Sequence, residues 1–369
     1  MKKVGFIVNP IAGMGGSVGL KGTDDVVQKA IELGAVPRSP HRAMEALGVL
    51  SNIRNDIEIV TCSSDMGENE AKQYLFATKV VWKYKRDYSS SDDTKNAAQA
   101  MLREKVDIIL FTGGDGTARD IFKAVEEKVP VIGIPAGVKI HSPVYARNPR
   151  KAGELAKLYL TGKIKTLKEV EVLDINENEY RAGRVDTQLF GYLKIPYEKN
   201  YVQNRKAPTP LSEAVSQKAI ALDVIDNMED DIFYIIGPGT TTRAVMEEMS
   251  LSYTLLGVDV ICNKQLVAMD VTEKQLKDIT NKNNCKLIIT PIGGQGYLLG
   301  RGNQQISSGI VRSIGKKNII VITTKQKISE LRGRPFLVDT GDIKVDEMLS
   351  GYIKALVGYK EQVIYPIDY

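Results

Sequence analysis

The sequence predicts an α/β protein with a parallel, doubly wound N-terminal domain and a second, mixed α/β domain. Three observations support this prediction. Short apolar runs alternate with segments of helical spacing up to Arg147, which is the pattern of βαβ units. These runs lack polar alternation, as expected of strands that are covered on both faces. After Arg147 the pattern changes to charged, strand-like alternation and then to further βα units.

The length of 369 residues favours two domains, because one domain usually takes roughly 100–200 residues. We expect the first domain to cover residues 1–147 and the second to cover 148–330. Residues 331–369 are expected to fold back and could complete the first domain.

Each predicted strand of the first domain is followed by a helical segment or a glycine-rich loop. The predicted strands are Val4–Val8, Ile57–Cys62, Val80–Tyr84, Val106–Thr112 and Val129–Ile134. The predicted helices are Asp24–Leu33, Arg42–Leu50, Glu68–Phe76, Asp92–Glu104 and a segment that ends at Val125. The glycine-rich loops follow the first, fourth and fifth strands. Since ligands of parallel sheets bind beyond the carboxyl ends of the strands, these three loops predict one binding edge.

The second domain is predicted to combine a β meander with βα units. Its predicted helices are Lys151–Leu160, Ser212–Met228 and a segment ending at Met249, and the tail has a predicted helix at Asp346–Leu356. Strand-like alternation fills Thr166–Leu193, and shorter strands are predicted at Phe233–Ile236, Leu287–Thr290 and Ile319–Thr323, with one more at Phe336–Val338 in the tail.

The turn Gly113–Thr117, with the sequence Gly-Gly-Asp-Gly-Thr, is the most informative motif. Glycines allow a close backbone approach, and the following helix offers free N–H groups and a partial positive charge to a phosphate. Asp115 is a carboxylate inside this anion-binding turn, so it is expected either to take a proton from an attacking hydroxyl or to help hold Mg²⁺. Thr117 can bind phosphate through its hydroxyl. The alternative is a tight turn in which Asp115 caps the helix.

Several other residues are candidates for the same binding edge. A second strand–glycine–helix turn at Gly237–Thr242 repeats the anion-binding pattern, although a plain βα turn is an equal alternative. Lys139 follows the fifth strand and could meet the transferring phosphate. The candidates for contact with the acceptor substrate are Lys21, Asp24, Arg42, His141 and Arg184. No metal ligand set is evident from the sequence.

Composition excludes several classes of function. The net charge of +5 is small and is not gathered into a stripe, so nucleic acid is not an expected partner. The three cysteines Cys62, Cys262 and Cys285 are far apart, which argues against a disulfide framework or a zinc site. The apolar start is too short for a signal peptide, and no apolar run approaches the ~20 residues of a membrane span. We expect a cytoplasmic homo-oligomer with no membrane partner.

Three segments resemble the kinase superfamily of NAD kinases, diacylglycerol kinases and phosphofructokinases. These are IVNPIAGMGG from Ile7, LFTGGDGTARDI from Leu110 and GIPAGVKIHSPVYA from Gly133. The sequence looks most similar to the ATP-NAD kinase family, in the branch that resembles the acetoin-catabolism protein AcoX. That likeness adds GLKGTD at Gly19–Asp24, RAGRV at Arg181–Val185 and GPGTTTRA at Gly237–Ala244.

The resemblance implies a two-domain NAD-kinase-like fold, with ATP and Mg²⁺ as cofactors and the nucleotide between the domains. It implies that Asp115 assists phosphoryl transfer to a hydroxyl and that Asn9 lies near the nucleotide. From the motifs and the resemblance together, the predicted nucleotide-binding residues are Asn9, Gly113, Gly114, Gly116, Thr117, Gly137, Lys139, Gly239, Thr240 and Thr241.

The expected partners are ATP and a small hydroxylated acceptor, with the 2′-hydroxyl of NAD favoured and NADP as the product. The sequence departs from the family in two places. It lacks a clear Asn-Glu pair for the ribose, with Asn176–Glu179 a candidate by composition alone, and Gly239–Thr242 stands in for a Gly-Ser-Thr-Ala-Tyr stretch. The alternatives are therefore a kinase of another small hydroxylated metabolite and a nucleotide-binding sensor without turnover. A dinucleotide-dependent oxidoreductase is disfavoured because the first loop is not a clean GxGxxG.

Overall fold

The computed structural model describes residues 1–20, 27–84, 89–137, 140–175, 187–198, 201–202 and 213–369. The described residues fall into two compact units. The first unit contains residues 1–14 and 27–202, and the second contains residues 15–20 and 213–369. The predicted α/β class, with a parallel first sheet and a mixed second sheet, is confirmed.

The elements are numbered in chain order over the described residues. The strands are β1 Lys2–Val8, β2 Ile57–Cys62, β3 Ala77–Trp82, β4 Ile108–Gly113, β5 Val131–Pro135, β6 Leu167–Ile175, β7 Thr187–Pro196, β8 Phe233–Ile236, β9 Asp259–Cys262, β10 Gln265–Ala268, β11 Cys285–Ile289, β12 Tyr297–Leu299, β13 Ile319–Ile322, β14 Phe336–Val338, β15 Gly351–Gly358 and β16 Glu361–Asp368. The helices are α1 Val27–Glu32, α2 Ser39–Leu50, α3 Glu68–Gln73, α4 Ser91–Arg103, α5 Asp115–Val125, α6 Pro149–Leu160, α7 Ala214–Asp226, α8 Thr240–Glu248, α9 Glu273–Lys282, α10 Ser308–Ile314, α11 Lys325–Glu330 and α12 Ile343–Leu349.

The first unit is built on a five-stranded sheet in the order β3-β2-β1-β4-β5, and all four strand pairs are parallel. Strands β4 and β5 are buried along their whole length, which explains why their sequences are continuously apolar. Because β1, β4 and β5 are neighbours, the loops that follow them meet at one carboxyl edge, as the sequence predicted.

The first unit extends beyond the predicted boundary at residue 147. Helix α6 packs against α2, and the antiparallel hairpin β6–β7 contributes Val170, Val172 and Leu193 to the first core. Gly191 on β7 makes this contact close, since a Cβ there would lie 2.1 Å from the ring of Phe122 on α5. The sequence had placed this hairpin in the second domain because its charged alternation suggested a change of fold.

The second unit is built on a nine-stranded mixed sheet in the order β10-β9-β8-β11-β13-β15-β16-β14-β12. Strands β8, β11, β13 and β15 are parallel to their neighbours in this series. Alternate residues enter two separate apolar clusters: Ile235 and Leu287 belong to one, and Ile236 and Ile288 to the other. Both faces of these strands are therefore covered.

The predicted helix Asp346–Leu356 is wrong in its second half. Helix α12 ends at Leu349, the amide of Ser350 donates to the carbonyls of Asp346 and Glu347, and Gly351 takes a φ of 95°. The residues that follow form β15, which pairs antiparallel with β16. Strands β14 and β16 also lie in this sheet, so the tail belongs to the second unit and not to the first. The Ala-Leu-Val run suggested a helix, but pairing with β16 decides the strand.

Among the described residues, no helix combines the length and the apolar content that a membrane crossing would require.

Candidate active site

The Gly-Gly-Asp-Gly-Thr motif joins β4 directly to α5. Gly113 is the last residue of β4, Gly114 is the N-cap, and Asp115 is the first residue of the helix. The N–H groups of the first helical turn have no intrahelical acceptor and lie at the positive end of the helix dipole. The motif therefore presents the amides of Asp115, Gly116 and Thr117 at the carboxyl edge of the sheet, in a geometry suited to phosphate.

The side chain of Asp115 is buried and held by the segment after β5. Its Oδ2 accepts a hydrogen bond from the backbone N–H of His141 at 2.6 Å and lies 3.1 Å from His141 Nδ1. Its Oδ1 accepts from the backbone N–H of Ser142 at 3.1 Å. These contacts fix the orientation of the carboxylate. The sequence predicted Asp115 and His141 separately, whereas the structure brings them together.

Asn9, after β1, faces the same turn. Its backbone N–H donates to the carbonyl of Thr112, and its Nδ2 donates to Thr117 Oγ1 at 3.0 Å. Within the described part of the chain, the buried Asn9 Oδ1 has no hydrogen-bond partner, and neither has Thr112 Oγ1, whose side chain points to the opposite face of the sheet from Gly113 and Thr117. Buried oxygens of this kind are costly unless a ligand, metal or water satisfies them, so the Asn9 oxygen marks where a bound group would sit.

The third loop packs tightly against the other two. The amides of Ala136 and Gly137 both donate to the carbonyl of Gly113 at 3.0 Å. Gly13, with a φ of 76°, lies so close that a Cβ there would be 2.0 Å from the carbonyl oxygen of Ala136. The N–H of Gly137, a predicted nucleotide-binding residue, is thus used within the protein and shapes the loop.

Two other side chains support this edge. Arg42, predicted to contact substrate, donates from Nε to the carbonyl of Pro135. Tyr145 donates to the carbonyl of Gly114 at 2.5 Å and packs edge-on against Phe111. A side chain at Gly133 would collide with the Tyr145 ring at 2.5 Å, so this glycine makes room for the tyrosine. These contacts fix the backbone of the motif from both sides.

Four predicted site residues lie outside the described residues: Lys21, Asp24, Lys139 and Arg184. The ribose-pair candidate Asn176–Glu179 also lies outside them. Their predicted roles stay predictions.

The second predicted phosphate turn lies in the second unit, after β8. Gly239 is the N-cap of α8 with a φ of 136°, and Thr240 and Thr241 open the helix. The hydroxyl of Thr240 lies 3.5 Å from Gln217 Nε2. Thr241 is fully buried, and its hydroxyl accepts from the ammonium group of Lys327 at 2.9 Å. Nothing in the local sequence around Lys327 predicted this contact.

The described residues contain no group of three or more His, Cys, Asp or Glu side chains arranged to hold a metal ion. A magnesium ion bound with a nucleotide does not need such a group, since it usually takes one or two carboxylates together with phosphate and water. The side-chain oxygen atoms of Asp115 and Asn9 fit this preference for hard oxygen donors.

Comparison with known protein families gives two matches along the chain. Residues 4–164 match the ATP-NAD kinase N-terminal domain, and residues 229–367 match the ATP-NAD kinase C-terminal domain. Comparison with curated proteins gives no match.

Two solved structures with partial similarity are provisionally described as a diacylglycerol kinase from Bacillus anthracis str. Sterne. Both are 20% identical over 47% of this chain, with TM-scores of 0.25. The alignment spans 46% of one of those chains and 43% of the other, so this chain covers less than half of their length.

The two family matches together span most of the chain and include the Gly113–Thr117 turn and the Gly237–Thr242 turn. The chain belongs to the ATP-NAD kinase family.

Proposed function

We propose that this protein is an ATP-dependent kinase that transfers a phosphoryl group to a hydroxyl, and that the acceptor is the 2′-hydroxyl of NAD. Family membership supports the coarser statement, a phosphotransferase with a hydroxyl acceptor. ATP as donor and NAD as acceptor are the finer parts of the proposal.

The observation that carries the proposal is the meeting of three loops at the carboxyl edge of the first sheet. The turn at Gly113–Thr117 offers helix N-terminal amides, and Asn9, which contacts Thr117, has a buried side-chain oxygen without a hydrogen-bond partner among the described residues. Phosphoryl transfer depends mainly on the positioning and electrostatic stabilisation of the phosphate. The helix N-terminal amides at this edge could provide both.

The chemistry requires an acceptor oxygen to attack the γ-phosphorus while the bond to the β-phosphate oxygen breaks and ADP leaves. Asp115 is the proposed recipient of the hydroxyl proton. His141 lies beside its Oδ2 and would keep the carboxylate oriented. Mg²⁺, when bound with the nucleotide, would neutralise charge on the phosphates, and Asp115 and Asn9 are the residues that would hold it.

One observation favours another small hydroxylated metabolite as the acceptor. The family's Gly-Ser-Thr-Ala-Tyr stretch has no counterpart other than Gly239–Thr242, whose Thr241 is bonded to Lys327 in this structure. A nucleotide-binding sensor would keep the glycine turn but would not need Asp115.

The test is NADP formation from ATP-Mg²⁺ and NAD, followed with an NADP-specific dehydrogenase, for the wild type, Asp115→Asn and Asp107→Asn. Asp107 is the matched control because it precedes the same strand β4 at the opposite edge, where it pairs with Lys2. We expect Asp115→Asn to lose at least ~10²-fold in kcat, as removal of a general base does, and Asp107→Asn to keep its activity.

Each result assigns a different function. NADP formed by the wild type and lost in Asp115→Asn establishes the activity and the residue. Unchanged turnover in Asp115→Asn would remove Asp115 as the base. No NADP, with ATP consumed when other hydroxylated compounds are supplied, would move the acceptor to another metabolite. Binding of ATP without any turnover would indicate a sensor.

A further inference from the structure

A buried polar cluster lies at the carboxyl ends of three parallel strands in the second unit. Thr290 follows β11, Thr324 follows β13, and the Gly237–Thr242 turn follows β8. These strands are direct neighbours, so their ends meet at one edge. All three positions are polar although they are nearly inaccessible: Thr241 is 0%, Thr324 1% and Thr290 7% exposed.

Lys327 brings a positive charge into this cluster. Its side chain comes from α11 and is 6% exposed, and its ammonium group donates to Thr241 Oγ1 at 2.9 Å and to Thr290 Oγ1 at 3.3 Å. Thr241 lies in the first turn of α8, at the positive end of that helix dipole. A cation beside a helix N-terminus is repelled by the positive end of the helix dipole. An anion bound at this position would be attracted by both the dipole and the lysine.

The backbone at this turn packs closely against Thr290. Gly239 takes a φ of 136°, which favours glycine, and a Cβ there would lie 2.6 Å from the methyl group of Thr290. As the N-cap of α8, Gly239 has no side chain that could accept from the first helical amides. The N-cap residue therefore provides no side-chain hydrogen bond to the first amides of α8.

Glu213 supplies a separate observation that points to a ligand. The residue is 3% exposed, and its Oε1 accepts a hydrogen bond from Thr324 Oγ1 at 2.5 Å. Thr324 is also the N-cap of the helix that carries Lys327, and its hydroxyl accepts from the Lys327 amide at 3.2 Å. Within the described residues, the second oxygen of Glu213, Oε2, has no hydrogen-bond partner. A buried carboxylate oxygen without a donor is costly, so a donor group from a ligand is expected there.

We propose that this edge of the second unit binds a phosphate ester carried on a hydroxylated carbon chain. Lys327, Thr241, Thr290 and the α8 amides would hold the phosphate, and Glu213 would accept from a hydroxyl. The phosphate ester of a free sugar and the ribose phosphate of a nucleotide share this chemistry. The site deepens the predicted role of Gly239, Thr240 and Thr241, and it is independent of catalysis by Asp115.

The test is calorimetric binding to the full chain, with ribose 5-phosphate, AMP, inorganic phosphate and ribose as probes. We expect ribose 5-phosphate to bind more tightly than inorganic phosphate, and ribose to bind weakest. Tighter binding of AMP than of ribose 5-phosphate would identify a nucleotide as the source of the ester, and the reverse order would identify a free sugar phosphate.

The key variant is Lys327→Met, with Lys325→Met as its matched control. Lys325 lies on the same short helix, but its side chain is 66% exposed and pairs with Glu361, so its loss changes the net charge equally. We expect Lys327→Met to weaken binding of ribose 5-phosphate at least ~10-fold, as loss of a charge-assisted hydrogen bond to phosphate does, and Lys325→Met to leave it unchanged.

Further variants keep the proposal testable if Lys327→Met fails to fold, which the far-UV circular dichroism spectrum would show. Thr290→Val should weaken binding, whereas Thr290→Ser, which keeps the hydroxyl, should retain it. Glu213→Gln should reduce the preference for ribose 5-phosphate over inorganic phosphate.

Either of two results would overturn the proposal. One is the absence of millimolar binding of both phosphate probes to the wild type, and the other is equal weakening by Lys325→Met and Lys327→Met. Because binding is measured without turnover, failure of the kinase assay and failure of this site are separate results.

Discussion

At the scale of single residues, Asp115 depends on a short segment that the sequence places 26 residues away. Its two carboxylate oxygens are held by the amides of His141 and Ser142, so the loop after β5 decides where the carboxylate points. Gly113 contributes in the opposite way, by having no side chain. A Cβ at Gly113 would lie 2.3 Å from Thr117 Oγ1 and 2.5 Å from Thr117 Cβ.

Gly113→Ala is therefore expected to displace Thr117 and its hydrogen bond to Asn9. Overpacking of this kind costs about 1–3 kcal/mol of unfolding free energy, which urea denaturation would measure. Gly309→Ala is the control, because the nearest atom to its Cβ would be 4.0 Å away. If the clash is the cause, Gly113→Ala should cost less in a Thr117→Gly background. An equal cost in both backgrounds would contradict the steric explanation.

Glu70 gives a pH-dependent prediction. Burial raises the pKa of this carboxyl to about 7, with the nearby charge of Asp65 adding to the shift, and its Oε2 has no hydrogen-bond partner in the described part of the chain. The folded state therefore holds the proton more tightly than the unfolded state does. Stability is then highest below the unfolded pKa and falls as the pH rises from about 4.5 to about 7.

Glu70→Gln should remove this loss. We expect the variant to gain on the order of 1–2 kcal/mol over the wild type at pH 8 and little at pH 4.5, measured by urea unfolding at both values. Glu68→Gln is the comparison, since a hydrogen bond from Lys72 lowers the pKa of Glu68 and gives the opposite slope. A wild-type stability that does not change between pH 4.5 and 8 would refute the role of Glu70.

At the scale of elements, the hairpin β6–β7 is fastened to the active-site edge through one serine. Ser142 Oγ donates to the carbonyl of Leu173 at 2.8 Å and accepts from the Leu173 amide at 2.9 Å. The same residue donates its backbone N–H to Asp115. The segment that positions the Asp115 carboxylate therefore contacts both the β4–α5 turn and the hairpin. This contact explains why the hairpin belongs to the first unit.

Ser142→Ala should leave two buried backbone groups of Leu173 without partners. We expect a loss of about 1–3 kcal/mol in unfolding free energy and faster hydrogen exchange at the Leu173 amide. Thr161→Ala, which removes an exposed hydroxyl at the end of α6, should change stability by less than about 0.5 kcal/mol. Unchanged exchange at Leu173 would show that the serine does not fasten the hairpin.

At the scale of the whole molecule, the chain contains two units with separate sheets and separate apolar cores. The C-terminal strand β16 lies inside the second sheet, hydrogen-bonded to β15 on one side and to β14 on the other. Its Ile367 is 5% exposed, and the ring of Tyr365 packs 4.5 Å from that of Phe336. The last strand is therefore a central strand of the second unit.

Removal of residues 359–369 should unfold the second unit and leave the first unit folded. Hydrogen exchange followed by mass spectrometry should show lost protection across 213–358 and retained protection across the helices and strands of the first unit. Ile364→Ala in the full chain is the control, because Ile364 on the same strand is 70% exposed. Loss of protection in the first unit instead would mean that the tail completes that unit, as the sequence alone had suggested.

The sequence by itself determined the βα order of the first unit and the strand–turn–helix geometry at Gly113–Thr117, because apolar runs and glycine turns are local signals. It also predicted the convergence of three loops, since parallel neighbouring strands place their carboxyl ends together. The same local reading failed at residues 350–356, where pairing with β16 decides the strand.

Only the tertiary structure decided which distant side chains meet. The contacts of Asp115 with His141, of Ser142 with Leu173, and of Lys327 with Thr241 join residues that are 26, 31 and 86 positions apart. A local sequence pattern carries no information about such pairs, because the order of the strands and the packing of the loops determine which residues meet. For the same reason, only the tertiary structure shows that Thr112 Oγ1 and Glu213 Oε2 are buried without a hydrogen-bond partner among the described residues.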